Sequence, residues 1–176
     1  MKIHLALATI LALTLGAASF TPAYAMGDGD DGGTTPVKKC KKGEVVKKGK
    51  CVKAHAGVLP DEDLYQQGRA LAFAGEYEWA LEVLGTVSNQ NDPRVLNYIG
   101  YSHRKAGRFE EAFGYYHKAL EFDPNFVLAR EYLGEGYVAT GRLDLAKVQL
   151  NEIANRCGTT CEEYQELAEH IETGVN

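Results

Sequence analysis

Between Leu59 and Ile171 the chain repeats itself, and this repetition limits its fold more than any other feature. Gly68, Gly100 and Gly134 stand at matching places. So do Gly75, Gly107 and Gly141, each followed by a polar residue and then by Tyr77, Phe109 or Leu143. A third set is Ala80, Ala112 and Ala146, a fourth Leu84, Tyr116 and Leu150, and a fifth Val87, Ala119 and Ile153. The spacing is 32 residues and then 34. Such a unit is too small to bury its own apolar face, so neighbouring units must stack to make one core.

Within each unit the apolar period is helical. Leu64, Gln67 and Leu71 share one face of a first helix, as do Leu96, Ile99 and His103, and then Arg130, Leu133 and Tyr137. The glycines at 68, 100 and 134 are expected where the second helix of the same unit crosses closely, with the three alanines as small partners. The glycines at 75, 107 and 141 are expected to end the first helix in a left-handed cap. Asp123-Pro124-Asn125 should stop one helix and start the next.

Residues 93–126, read as L-x2-I-G-x2-H…A-x3-Y-x2-A…P, resemble a tetratricopeptide repeat. The resemblance extends well into 127–160 and more weakly into 61–92. It implies an all-α fold: a short right-handed α-solenoid of about three helix hairpins plus a C-terminal capping helix. Leu64, Leu96 and Arg130 stand where the family often has Trp, and His103 replaces the usual Tyr. Gln67 replaces an apolar residue, so the first repeat is expected to act partly as a polar cap. Residues 161–172 read as the capping helix, with Tyr164, Leu167, Ala168 and Ile171 on one face and a Thr160–Glu163 capping box at its start.

The resemblance also implies a concave groove lined by the first helices, whose ligands are proteins or peptides. By register its inward candidates are Tyr65, Arg69, Asn97, Tyr101, Arg104, Lys105, Glu131, Glu135 and Val138. Some members of the family clamp a C-terminal carboxylate with Lys and Asn; the corresponding positions here hold Tyr65, Arg69, Asn97 and Tyr101, so that clamp is not reproduced.

Ahead of the repeats the composition changes twice. Residues 1–25 carry an early Lys, an apolar run from Ile3 to about Ala18 and the triplet Ala23-Tyr24-Ala25, which reads as a secretory leader cleaved after Ala25. A membrane anchor is the alternative, but the run is short of the roughly 20 residues a bilayer needs. Residues 26–36 are rich in Gly and Asp and read as a flexible acidic linker; they lack the ligand loop that calcium binding would require. Residues 37–57 hold Lys38, Lys39, Lys41, Lys42, Lys47, Lys48, Lys50 and Lys53, and a two-stranded ribbon turning at Lys48-Gly49 is expected there. Residues 37–53 carry a local charge of +7, against −10 over residues 57–176.

The cysteines are Cys40, Cys51, Cys157 and Cys161. An even count in an exported chain favours disulfides, and the shortest loops, Cys40–Cys51 and Cys157–Cys161, are the cheapest to close. A free thiol pair at the second position, and a zinc site of Cys40, Cys51 and His55, are the alternatives.

Nothing in the sequence spells out catalysis. No nucleophile elbow, H-E-x-x-H pair or phosphate loop is present. His103 falls at a core-facing position, while His117 and His170 fall on exposed helix faces. The expectation is a non-enzymatic periplasmic interaction module without cofactor or metal, binding a protein or peptide in its groove. The competing expectation makes the Lys-rich arm the working part, attaching to an anionic envelope surface without specific nucleic-acid recognition, with the repeats as a spacer.

Overall fold

A computed structural model of the chain describes residues 40–174, all within one compact unit, Pro36–Asn176. The leader expected over 1–25, the linker over 26–36, and Lys38 and Lys39 lie outside the described residues. The order is β1 (Glu44–Lys47), β2 (Lys50–Lys53), then α1 (Asp61–Phe73), α2 (Tyr77–Leu84), α3 (Pro93–Lys105), α4 (Phe109–Phe122), α5 (Val127–Ala139), α6 (Leu143–Cys157) and α7 (Glu162–Thr173). Helices α1/α2, α3/α4 and α5/α6 pair as hairpins, α2 meets α3, α4 meets α5, and α7 closes against α5 and α6. This is a short α-solenoid with a two-stranded sheet ahead of it. Among the described residues no helix is long and apolar enough to cross a membrane.

The three cap glycines do what their spacing predicts. Gly75, Gly107 and Gly141 have φ of +79°, +79° and +74°. The residue after each sends its N–H back into the first helix: Glu76 to the Leu71 carbonyl, Arg108 to His103 and Arg142 to Tyr137, at 3.0, 2.9 and 2.8 Å. These reversals satisfy helix-end carbonyls and turn the chain for α2, α4 and α6.

The mid-helix glycines mark close approaches, with one correction. A Cβ on Gly68 would lie 2.6 Å from Leu84, and one on Gly100 would lie 2.8 Å from Tyr116, both on the second helix of the same hairpin. A Cβ on Gly134 would instead lie 2.5 Å from Leu167 on α7. In this hairpin the closing helix α7, not the second helix α6, supplies the side chain that fills the notch. Leu84, Tyr116 and Leu167 are all fully buried, as are Ala80, Ala112 and Ala146.

Both short-loop disulfides are present, with Cα–Cα distances of 5.4 Å for Cys40–Cys51 and 5.9 Å for Cys157–Cys161. The free-thiol alternative is therefore set aside, and so is a Cys40–Cys51–His55 zinc site, because both sulfurs are spent. The expected Thr160–Glu163 capping box does not form. Cys161, bridged back to Cys157, takes the N-cap position in extended backbone and makes no side-chain cap bond, so α7 starts at Glu162.

The sheet is antiparallel, with Val45 opposite Val52 and Val46 opposite Cys51. It packs on the first hairpin. Val45 is 2 % exposed and joins a core with Val58, Leu64, Ala80 and Leu84, and Val52 and Leu59 pack against its edge. Gln67 holds the β1 edge from both sides: its Oε1 accepts from the Val46 N–H at 2.8 Å, and its Nε2 donates to the Val46 carbonyl at 3.1 Å. The Trp79 indole N–H donates to the Glu44 carbonyl at 3.0 Å. Gln67 thus interrupts the apolar face of α1 because a strand edge, not water, lies against it. The first hairpin is covered by the β-ribbon, whose main chain needs a polar partner that an apolar side chain could not supply.

Candidate functional site

The first helices α1, α3 and α5 place an aromatic row along one side of the stack. Tyr65 lies 5.9 Å from Tyr98 between ring centres, Phe73 lies 5.5 Å from Tyr98 and 5.4 Å from Tyr101, and Tyr101 lies 5.2 Å from Tyr132. These are tilted and edge contacts of the kind that gain from the ring quadrupoles. Guanidinium groups cover the row: Arg94 over Tyr65 at 4.7 Å, Arg69 over Phe73 at 4.9 Å, and Arg104 over Tyr101 and Tyr132 at 5.5 and 5.3 Å. Arg69 also donates from Nε to the Tyr98 hydroxyl at 2.9 Å. Among the described residues no carboxylate forms a salt bridge with Arg69. Burial raises the Tyr65 phenol to about 12 and raises Tyr101 and Tyr132 as well, so these rings are neutral donors.

The nine groove candidates separate by depth. Arg69 and Tyr101 are half-buried and Lys105 is exposed. Tyr65, Asn97, Arg104, Glu131, Glu135 and Val138 are buried. Register assigns a face but not a depth, and these six are covered by the adjacent helices. Phe73, Tyr98, Tyr132 and Arg94 were not among the candidates. Tyr98 and Tyr132 stand 34 residues apart, so the repeat spacing carried a signal for them; Phe73, 43 % exposed at the end of α1, had none.

Beneath the aromatic row runs a line of buried polar groups. Asn97 is fully buried, and neither its amide nitrogen nor its amide oxygen has a hydrogen-bond partner. Arg104 pairs with Glu135, and its Nε lies 3.4 Å from the Tyr116 hydroxyl. Glu131, at the position in α5 that Asn97 holds in α3, is 1 % exposed. Burial, then the hydrogen bond with Glu166 and the Glu135 charge, push its carboxyl up to about 10.

The histidines have structural partners. His103 stacks on Tyr115 at 5.4 Å and accepts at Nδ1 from Arg108 Nε at 2.9 Å. Burial first, then the Arg108 charge, hold its pKa below the usual value. Exposed His117 lies 3.2 Å from the Tyr137 hydroxyl. His170 is half-buried rather than exposed, because it sits 3.7 Å from Glu135 across the α5–α7 contact. The lysines of the ribbon that are described (Lys41, Lys42, Lys47, Lys48, Lys50 and Lys53) are all exposed, with Lys42 3.8 Å from Glu82.

Comparison with known proteins agrees with this architecture. Residues 93–126 match the tetratricopeptide repeat family model. No curated protein is similar to the chain in sequence. The fold is shared with solved structures, two of which contain bound peptides. One is the first tetratricopeptide domain of Spaghetti (RPAP3) bound to an HSP90 peptide, at 14 % identity and TM-score 0.55, covering 68 % of this chain and 98 % of that one. The other is the Yersinia enterocolitica type III secretion chaperone SycD with a peptide of the translocator YopD, at 20 % identity and TM-score 0.55, covering 64 % and 87 %. The described part of the chain is therefore a tetratricopeptide-repeat fold, with α3 and α4 as its best-defined repeat.

Proposed function

We propose that the protein is a non-enzymatic interaction module that holds an extended peptide of a partner protein against the aromatic row of α1, α3 and α5. The observation that carries this is the row itself: exposed Phe73 and half-buried Tyr101 and Tyr132 beside guanidiniums, with buried Tyr65 and Tyr98 behind them and no carboxylate bridged to Arg69 among the described residues. Aromatic and Arg side chains are the usual anchors of binding energy, and a preformed array loses little entropy on binding. Two structures of the same fold contain bound peptides, which supports the reading. Arg69, Tyr101 and Lys105 are the accessible contacts, and the buried residues shape the wall behind them. The leader-like N-terminus and the two disulfides support work outside the cytoplasm, in a bacterial periplasm.

The test is a random peptide library selected on the mature chain and on a variant carrying Tyr101→Ala and Arg69→Ala, both checked for folding by circular dichroism. Enriched peptides should lose roughly ten-fold or more in affinity for the variant. A selection that enriches nothing, or peptides that bind both proteins equally, would discard the groove reading.

A second reading has one observation in its favour, the exposure of the six described lysines on the ribbon. It makes the ribbon an attachment point for an anionic envelope surface. Retention on anionic vesicles should then fall steeply with salt; retention that persists at high salt would count against it.

A further inference from the structure

The contact between α5 and α7 contains three carboxylates where a packed interface would ordinarily hold apolar groups. Glu131 and Glu135 come from α5 and are buried, and Glu166 comes from α7. One carboxylate oxygen from each can be chosen so that all lie within 4.8 Å of one another. Oε1 of Glu131 is buried and has no hydrogen-bond partner. The positive groups facing the cluster are few. Arg104 of α3 is committed to Oε2 of Glu135. His170 of α7 lies 3.7 Å from Oε1 of Glu135, and its Nδ1 is 2.8 Å from the Glu166 carbonyl. Among the described residues, three acidic groups therefore face the Arg104 guanidinium and an imidazole already engaged with main chain. Leaving carboxylates buried side by side without a counter-charge is costly, and without an ion the hydrogen bond between Glu131 and Glu166 has to meet that cost.

We propose that Glu131, Glu135 and Glu166 form a binding site for a hard divalent cation of the calcium class, which ties the closing helix α7 to α5. Such a cation takes oxygen ligands at about 2.3–2.6 Å, so two of its ligands can stand up to about 5 Å apart, which the observed spread satisfies. Oε1 of Glu131 has no hydrogen-bond partner to give up when that carboxylate takes an ion. Glu166, exposed at the rim, gives entry from solvent, and water completes the coordination. An all-oxygen set favours calcium over zinc, because the near nitrogen of His170 faces the Glu166 carbonyl. The ion bridges two helices, so its effect is on the docking of α7. That docking also fills the notch at Gly134 with Leu167. The site does not depend on the groove reading, since Glu131 and Glu135 are below the aromatic row.

The test uses the full mature chain at neutral pH. Thermal unfolding is followed in EDTA, in about 5 mM CaCl2, and in NaCl of equal ionic strength. For affinities typical of extracellular calcium sites, Ca2+ should raise Tm by about 4–8 °C and NaCl should not. Terbium(III), a calcium surrogate, should bind and show tyrosine-sensitised emission. Glu166→Gln, at an exposed position, should fold normally and lose both effects, and Glu131→Gln should do the same. Two results would overturn the proposal. One is a wild-type Tm indifferent to Ca2+, and a Glu131→Gln chain more stable than wild type would then show that a shared proton settles the cluster. The other is a Ca2+ shift that survives in Glu166→Gln, or that NaCl reproduces.

Discussion

Gly100→Ala tests the stacking argument directly, because the clash it creates can be located. The new Cβ would lie 2.8, 2.9 and 3.1 Å from three atoms of the Tyr116 ring. Tyr116 is fully buried, its hydroxyl faces Arg104, and its ring centre lies 6.4 Å from that of Tyr132, so it has little room to swing aside. Overpacking of this kind costs about 1–3 kcal/mol. Alanine returns about 1 kcal/mol through helix propensity. With three ring atoms inside normal contact distance the clash lies in the upper part of its range, and the net loss should be about 1–2 kcal/mol. Gly114→Ala is the internal control. It sits in the middle of α4, and a methyl group there would have nothing within 4 Å, so propensity acts alone and the chain should gain about 0.5–1 kcal/mol. Urea unfolding followed by circular dichroism in the far ultraviolet should place the two midpoints on opposite sides of wild type with similar slopes. If Gly100→Ala proves as stable as Gly114→Ala, the close α3–α4 crossing is not what holds this hairpin together.

Two further outcomes follow from other contacts. Gln67→Ala removes both partners of the Val46 main chain, and it should cost about 1–3 kcal/mol and speed amide exchange at Val46 by roughly ten-fold or more; unchanged protection there would mean that the ribbon does not rest on Gln67. His103 has a folded-state pKa below its unfolded value of about 6.5, so the unfolded chain takes up its proton first and stability should fall as pH drops below about 6.5. Comparing Tm from about pH 7.5 down to about 5 for wild type and His103→Gln isolates this group, and two parallel curves would remove His103 from the account.

How much of this was legible in the residues alone depends on how far each feature reaches along the chain. Gly75, Gly107 and Gly141 announced three helix ends because a left-handed cap is a property of a few consecutive residues. The disulfides were legible for the same reason: loops of 11 and 4 residues close on themselves. The aromatic row was only half legible. Tyr65 and Tyr101 fell on the expected face, but Phe73 and Tyr132 join them through contacts between different hairpins.

By itself the sequence determined the local elements and the fact of stacking: a period of 32 to 34 residues, small residues at crossings, Gly at turns, and a ribbon with its own clasp. The tertiary structure alone decided which surfaces meet. It put Leu167 rather than Leu150 into the notch at Gly134, turned Gln67 from part of a polar cap into a clamp on the β1 edge, and buried Glu131 and Glu135 against Glu166. The physical reason is that helical period specifies direction around one helix axis, whereas burial and charge pairing depend on what another segment, far along the chain, brings to that side.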